Sequence, residues 1–213
     1  MTIMRIVVAA QAFKGTLSAI TACQAIADGL LLIWPNAEII ISPMADGGDG
    51  TLEALTDGSN GTYHTTTVTN PNGDEVSATW SIMGDGHTAV IEMARASGLA
   101  LLSADRLDPR TATSYGTGEL IKAALDAGVN RIILGLGGSA TNDGGAGLMT
   151  ALGVRFHDQK CQDLQMGGSA LANLHHIEDN DLDPRFSNTK ILAACDVTNA
   201  LLGPLGASAV YGP

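Results

Sequence analysis

The sequence predicts an α/β protein, and three observations carry that expectation. An apolar run with β-branched residues fills 3–10, and strands are read again at 130–134 and 190–194. Segments with helical spacing lie between them, and glycine clusters mark several of the junctions. The composition agrees. Hydrophobic residues make up 45% of the chain and aromatics only 4%, so the core is built from Ala, Val, Ile and Leu, which suits buried parallel strands beneath Ala-rich helices. Glycine stands out at 26 of 213 residues, against an average of about 7%.

The elements follow in order. Residues 3–10 read as a buried strand, and a polar turn through Lys14-Gly15-Thr16 leads into a helix over 18–33 with Ala19, Ala22, Cys23, Ile26 and Leu30 on its apolar face. Pro35 and Asn36 end it. A short strand at 38–42 is followed by the turn Asp46-Gly-Gly-Asp-Gly50 and a helix through Leu55, which begins a βαβ unit. Residues 62–69 and 75–82 alternate around Asn70-Pro-Asn-Gly73 and read as a hairpin, with 87–93 as a third strand. A helix is expected over 118–127, with Thr117 as its N-cap and Gly128 as its stop. Strand 130–134, a long glycine loop, helix 146–152 and strands 154–156 and 190–194 complete the pattern. Residues 196–206 are turn-rich, no internal repeat is present, and no closing element is evident before the terminal Gly-Pro.

Bulk properties exclude some functions. With 22 acidic against 11 basic residues the net charge is −11, and no basic stripe offers itself to a nucleic acid, although a nucleotide can still be held locally by backbone N–H groups. Cys23, Cys161 and Cys195 form no CxxC pair and imply neither a disulfide framework nor a zinc site; Cys195 is expected to be a buried thiol. The five histidines show no metal-ligand spacing, and the pair His175-His176 sits in a polar stretch expected to be solvated. No signal-like or membrane-length apolar segment occurs, so a cytoplasmic protein is expected.

The strongest candidate for chemistry is the loop Gly135-Leu-Gly-Gly-Ser-Ala-Thr-Asn-Asp-Gly-Gly-Ala-Gly147, in which six of thirteen residues are glycine. Such a loop after a strand lets backbone N–H groups approach an anion. Ser139 and Thr141 add hydroxyls, and Asn142 and Asp143 can reach a metal or a reacting hydroxyl. A Walker A loop needs a terminal Gly-Lys-Ser/Thr, which is absent. A nucleophile elbow needs a glycine two residues after Ser139, where Thr141 stands. The dinucleotide pattern Gly135-x-Gly137-x-x-Ala140 is met, so a nicotinamide-nucleotide oxidoreductase stays open, but it requires a helix to begin by about Gly138 where more glycines follow. Three further groups stand at strand ends: Lys14 with Thr16 at a turn suited to phosphate, Asp46 and Asp49 suited to Mg²⁺, and Asp196 after strand 190–194. A lysine, carboxylates and a phosphate-sized loop fit phosphoryl transfer.

Taken together these stretches resemble a known family. Phe13-Lys-Gly-Thr-Leu-Ser-Ala19, Pro43-Met-Ala-Asp-Gly-Gly-Asp-Gly-Thr51, Ala89-Val-Ile-Glu-Met-Ala94 with Ala96-Ser-Gly-Leu99, Tyr115-Gly-Thr-Gly-Glu-Leu120, the glycine loop extended to Phe156, Ala194-Cys-Asp-Val-Thr-Asn199 and residues 203–213 are similar to the type I glycerate kinases. The resemblance implies ATP-dependent phosphorylation of D-glycerate to 2-phosphoglycerate, or to 3-phosphoglycerate, with ATP and Mg²⁺. It also implies two α/β domains, a Rossmann-like domain completed by a C-terminal region and a second domain inserted within it. On that pattern residues 1–60 are the first half of the Rossmann-like domain and 61–213 carry the glycine loop; an unpaired half-sheet is expected to expose an edge and apolar faces. The family's later motifs are not found, so the chain is expected to be an N-terminal portion, and a catalytically inactive remnant is an alternative. One departure bears on this: where the family has Pro-Asp-Ser before Phe-Lys-Gly, this chain has Ala10-Gln11-Ala12. By residue type, Gly137, Gly138, Ser139, Thr141, Asn142, Gly144 and Thr16 are candidate phosphate or substrate contacts. Asp46 and Asp49 are candidate metal ligands, and Asp196, Asp143 and Lys14 are candidate catalytic groups.

Overall fold

A computed structural model describes residues 3–13 and 16–212. The chain runs β1 (Arg5–Val8), α1 (Ala19–Ile33), β2 (Glu38–Ile41), α2 (Thr51–Gly58), β3 (Thr62–Thr69), β4 (Glu75–Ile82), β5 (Thr88–Glu92), α3 (Ala94–Ser97), α4 (Tyr115–Asp126), β6 (Arg131–Gly135), α5 (Ala146–Ala151), β7 (Arg155–His157), β8 (His176–Glu178), β9 (Lys190–Ala194) and α6 (Ala207–Tyr211), with short 3₁₀ turns between. The expected α/β class is what these elements form.

β1 and β2 pair in parallel, joined by α1 as the sequence pattern required. The Ser18 hydroxyl caps α1 by accepting the Thr21 N–H at 3.2 Å. The buried face of α1 is Ala19, Ala22, Cys23 and Ala27, rather than one reaching Ile26, which is 43% exposed. One face of the pair is open: Val7 and Ile40, neighbours in register, are 59% and 40% exposed.

The larger body is a mixed five-stranded sheet in the order β3-β4-β5-β6-β9, antiparallel through the hairpin and across β4-β5, then parallel from β5 to β9. β5 is buried along its whole length because helices cover both faces. Leu52 and Thr56 of α2 are fully buried on one side, where the Thr56 hydroxyl meets that of Ser81 at 2.6 Å. On the other side Trp80, Ala89 and Ile91 pack with Leu120, Ile121 and Ala124 of α4 in the main apolar cluster. Burying each such side chain stabilises by about 1.5–3 kcal/mol.

Several local expectations need correction. α4 begins at Tyr115, with Ser114 at the N-cap position, so Thr117 lies inside the helix, where its buried hydroxyl meets Ser97 Oγ at 2.8 Å. A closing helix does exist, α6, and β8 pairs antiparallel with β7 although nothing in its sequence marked it as a strand. Cys195 is exposed, not buried, because the chain leaves the sheet at Ala194. No helix among the described residues is long and apolar enough to cross a membrane.

Candidate functional site

The C-terminal ends of β6 and β9 and the turns that follow β2 and β5 converge, and glycine makes the convergence possible. After β2 the chain turns through Asp46–Gly50 into α2; the Thr51 hydroxyl closes the turn by accepting the Gly47 N–H at 3.0 Å and donating to the Gly48 carbonyl at 2.8 Å. This turn is pressed against the ends of β6 and β9. Gly47 has φ +98°, and a Cβ there would lie 2.3 Å from the Ala194 carbonyl oxygen. A Cβ on Gly137 would meet Gly48 Cα at 2.7 Å, and the Gly137 N–H donates to the Gly47 carbonyl at 3.2 Å. The glycine loop thus begins by packing backbone to backbone against the acidic turn.

Its first half is held from the other side by residues 93–99. Met93 N–H donates to the Gly135 carbonyl (2.9 Å), Leu99 N–H to Gly138 (2.9 Å) and Ala140 N–H to Ser97 (2.9 Å). What remains free is the inner edge. Among the described residues the N–H groups of Gly138, Ser139, Thr141, Asn142 and Gly144 have no intramolecular acceptor, and the hydroxyls of Ser139 and Thr141 have no partner. A row of unpaired donors exposed to water is what an anion site requires. The dinucleotide alternative fails here: Gly138 has φ +71° and the next helix starts only at Ala146, so no helix begins where that motif needs one.

Asp143 is taken out of the reactive surface. It is 2% exposed, and its carboxylate accepts from the N–H groups of Ser114, Gly145 and Gly147 and from the Ser114 hydroxyl, at 2.8–3.1 Å. Its charge joins the starts of α4 and α5 and leaves little lone-pair capacity for a ligand. Asn142 is tied to the closing helix, its Oδ1 accepting from the Ser208 hydroxyl at 2.9 Å.

The other carboxylates are open. Asp49 and Asp196 are exposed and make no hydrogen bond among the described residues, and Asp49 Oδ1 lies 3.8 Å from where a Gly138 Cβ would be. Asp46 is exposed; Gln11 Nε2 donates to it at 2.5 Å and the Gly48 N–H at 3.2 Å. These bonds, Gln11 first, hold its carboxyl below the usual carboxylate range. Gln11, the departure noted in the sequence, therefore stands beside the acidic turn. Thr16 is exposed at the start of α1's approach, and Lys14 lies outside the described residues. Among the described residues no group of three or more His, Cys, Asp or Glu side chains is arranged to hold a metal by itself.

Sequence reasoning missed a supporting cluster. Glu92, 2% exposed at the end of β5, accepts the Leu52 N–H at 2.9 Å and the Arg95 Nε at 2.8 Å, and Arg95 reaches Glu53 at 2.6 Å. This fastens the start of α2, and with it the acidic turn, to the strand beside the glycine loop. The prior signal was the stretch Ala89-Val-Ile-Glu-Met-Ala94, quoted for its resemblance without a role for its glutamate.

Comparisons with known proteins agree with the motifs. The model of the glycerate kinase family matches residues 6–213. A glycerate kinase of Bacillus subtilis (strain 168) is 50% identical over 210 residues, covering 99% of this chain and 55% of that protein. A glycerate 2-kinase of Escherichia coli (strain K12) is 49% identical with the same coverage. The crystal structure of a protein named as a glycerate kinase 2 from Salmonella typhimurium LT2 superposes with a TM-score of 0.91 at 48% identity, over 100% of this chain and 57% of that one. The chain thus spans about half the length of the curated relatives it matches.

Proposed function

The chain belongs to the glycerate kinase family, and we propose that it contributes the phosphate-facing half of a site that phosphorylates D-glycerate with ATP, giving 2-phosphoglycerate. The observation that carries this reading is the row of N–H groups between Gly138 and Gly144 without an intramolecular acceptor, with the exposed Asp49 carboxylate 3.8 Å from where a Gly138 Cβ would be and the exposed Asp196 two residues past the end of β9. The donors suit phosphate oxygens, and the open carboxylates suit a cation or a substrate hydroxyl. The name of the Escherichia coli relative, a glycerate 2-kinase, supports the 2-position over the 3-position.

In this reading Gly138, Ser139, Thr141 and Gly144 bind phosphate oxygens, with Gly137 fixing the loop's entry and Asn142 its exit. Asp49 and Asp46 fit Mg²⁺ because their oxygens are exposed, and such an ion, arriving on the nucleotide, needs only one or two protein carboxylates. When bound it neutralises phosphate charge. Asp196, at the end of β9, accepts the proton of the substrate hydroxyl. Lys14 and Thr16 are retained as phosphate contacts by residue type. Positioning and charge neutralisation carry most of the work in such a transfer.

The domain organisation is part of the proposal: residues 1–60 open a Rossmann-like unit and 61–213 form the second α/β unit, with α2, which packs on β4 and β5, marking where they adjoin. The setting is cytoplasmic, where ATP is available.

A coupled assay of ADP release with D-glycerate tests the reading, together with calorimetry using ADP and Mg²⁺. Turnover that falls about 100-fold or more in Asp196→Asn, with nucleotide affinity retained, is the expected result. Binding of ADP without turnover would favour the inactive-remnant alternative. Absence of both would sink the kinase reading.

A further inference from the structure

Beside the far end of the glycine loop, α5, β7 and the segment 164–171 enclose a cavity of about 320 Å³. Its walls include Gly147, Thr150, Phe156, Leu164, Met166 and Leu171. We propose that this cavity receives the adenine base of the nucleotide, a deepening that rests on the kinase reading above.

Four observations point to a flat, neutral, hydrogen-bonding ring. The volume lies in the range of small-ligand pockets. The walls are mostly apolar, and Phe156 and Met166 offer the surfaces on which bases stack. The charged groups at the cavity, Arg155 and Asp163, cancel as a two-bond pair (Nε to Oδ1 3.2 Å, Nη2 to Oδ2 2.9 Å), which disfavours a phosphate or carboxylate there. Finally, the backbone of Gln165 and Met166 is left unpaired. Leu164 N–H donates to the Phe156 carbonyl at 2.8 Å and Ser169 N–H to Arg110 at 3.0 Å, so the segment is pinned at both ends, yet among the described residues the N–H and C=O groups of Gln165 and Met166 have no intramolecular partner. A donor and an acceptor on one extended segment beside an apolar slot match the edge of a purine.

The place is also right. The wall residue Gly147 follows Gly144 and Gly145 by two or three positions, so a base here puts the rest of the nucleotide beside the loop's unpaired N–H groups. A second cavity, about 460 Å³, lies at the other end of α5, where Lys122, Asp181, Asp183 and Arg185 set charged groups around Leu152 and Pro184 and no aromatic side chain is present for a base to stack on.

The test is a titration of the ¹⁵N-labelled chain with adenosine and, separately, with Mg²⁺ and a non-hydrolysable ATP analogue, followed by calorimetry on Leu171→Trp, which fills the slot, and Leu171→Met, which does not. Both ligands are expected to shift the Gln165, Met166 and Gly147 amides. Leu171→Trp should weaken both at least tenfold while its circular dichroism stays that of the parent, and Leu171→Met should bind within threefold. If the analogue moves the Gly138–Gly144 amides while Gln165–Gly167 stay still, and Leu171→Trp binds like the parent, the cavity assignment is overturned and the kinase reading stands. If the analogue moves no amide at all, both fall together.

Discussion

Asp46 and Asp49 share a local setting with Asp143: acidic residues among glycines, a few positions beyond a strand and just before a helix. Their fates are opposite. Asp49 is exposed with no hydrogen bond among the described residues, and Asp46 is exposed with two. Asp143 is buried and accepts four hydrogen bonds. The difference comes from Ser114, which stands 29 residues earlier in the chain and supplies two of those four donors. Neighbouring N–H groups bond to Asp46 and Asp143 alike, and it is the donors the fold brings from elsewhere that close off Asp143.

That contrast can be broken experimentally. Asp143→Ala leaves a buried hydroxyl and three N–H groups without their acceptor, and should cost about 3–5 kcal/mol in urea unfolding. Asp143→Asn keeps the shape and should cost about half as much. Gly47→Ala comes next. It forces a side chain into φ +98° and against the Ala194 carbonyl oxygen, and about 2–4 kcal/mol is expected, with NMR shifts reaching β9 as well as the acidic turn. Asp49→Asn should change stability by no more than about 0.5 kcal/mol while weakening Mg²⁺-nucleotide binding. A loss matching that of Asp143→Ala would show the two aspartates to be equivalent after all.

The smallest effect is electrostatic. Gln11→Ala removes the main hydrogen bond that lowers the Asp46 carboxyl, so its NMR titration midpoint should move up toward the ordinary carboxylate value. The native carboxyl is depressed. Its contribution to stability is therefore present above about pH 4 and lost as pH falls through the native midpoint. Because Asp46 is exposed, that contribution is at most a few tenths of a kcal/mol. An unchanged midpoint in Gln11→Ala would mean that the Gly48 N–H alone suffices.

Much of the fold was legible because its signals are local. The hairpin over Thr62–Thr69 and Glu75–Ile82 occurs at its expected bounds, since alternation and β-branching act within each segment, and the strand Lys190–Ala194 does so as a short apolar run between turns. Thr117 misled because Thr before a Gly-rich helical run looks like a cap, whereas its hydroxyl answers to Ser97, twenty residues away. β8 was invisible because its three residues become a strand only by pairing with β7.

The sequence by itself determined the α/β class, the extent of the glycine loop and the family, because these depend on periodicity, on where glycine is tolerated and on a long motif. Only the tertiary structure decided which carboxylates are open, why Gly47, Gly135 and Gly137 must be glycine, and that Glu92 and Arg95 hold the acidic turn in place. Those outcomes are contacts between segments about 30 to 150 residues apart, and no local pattern of residue types encodes which donor will meet which acceptor.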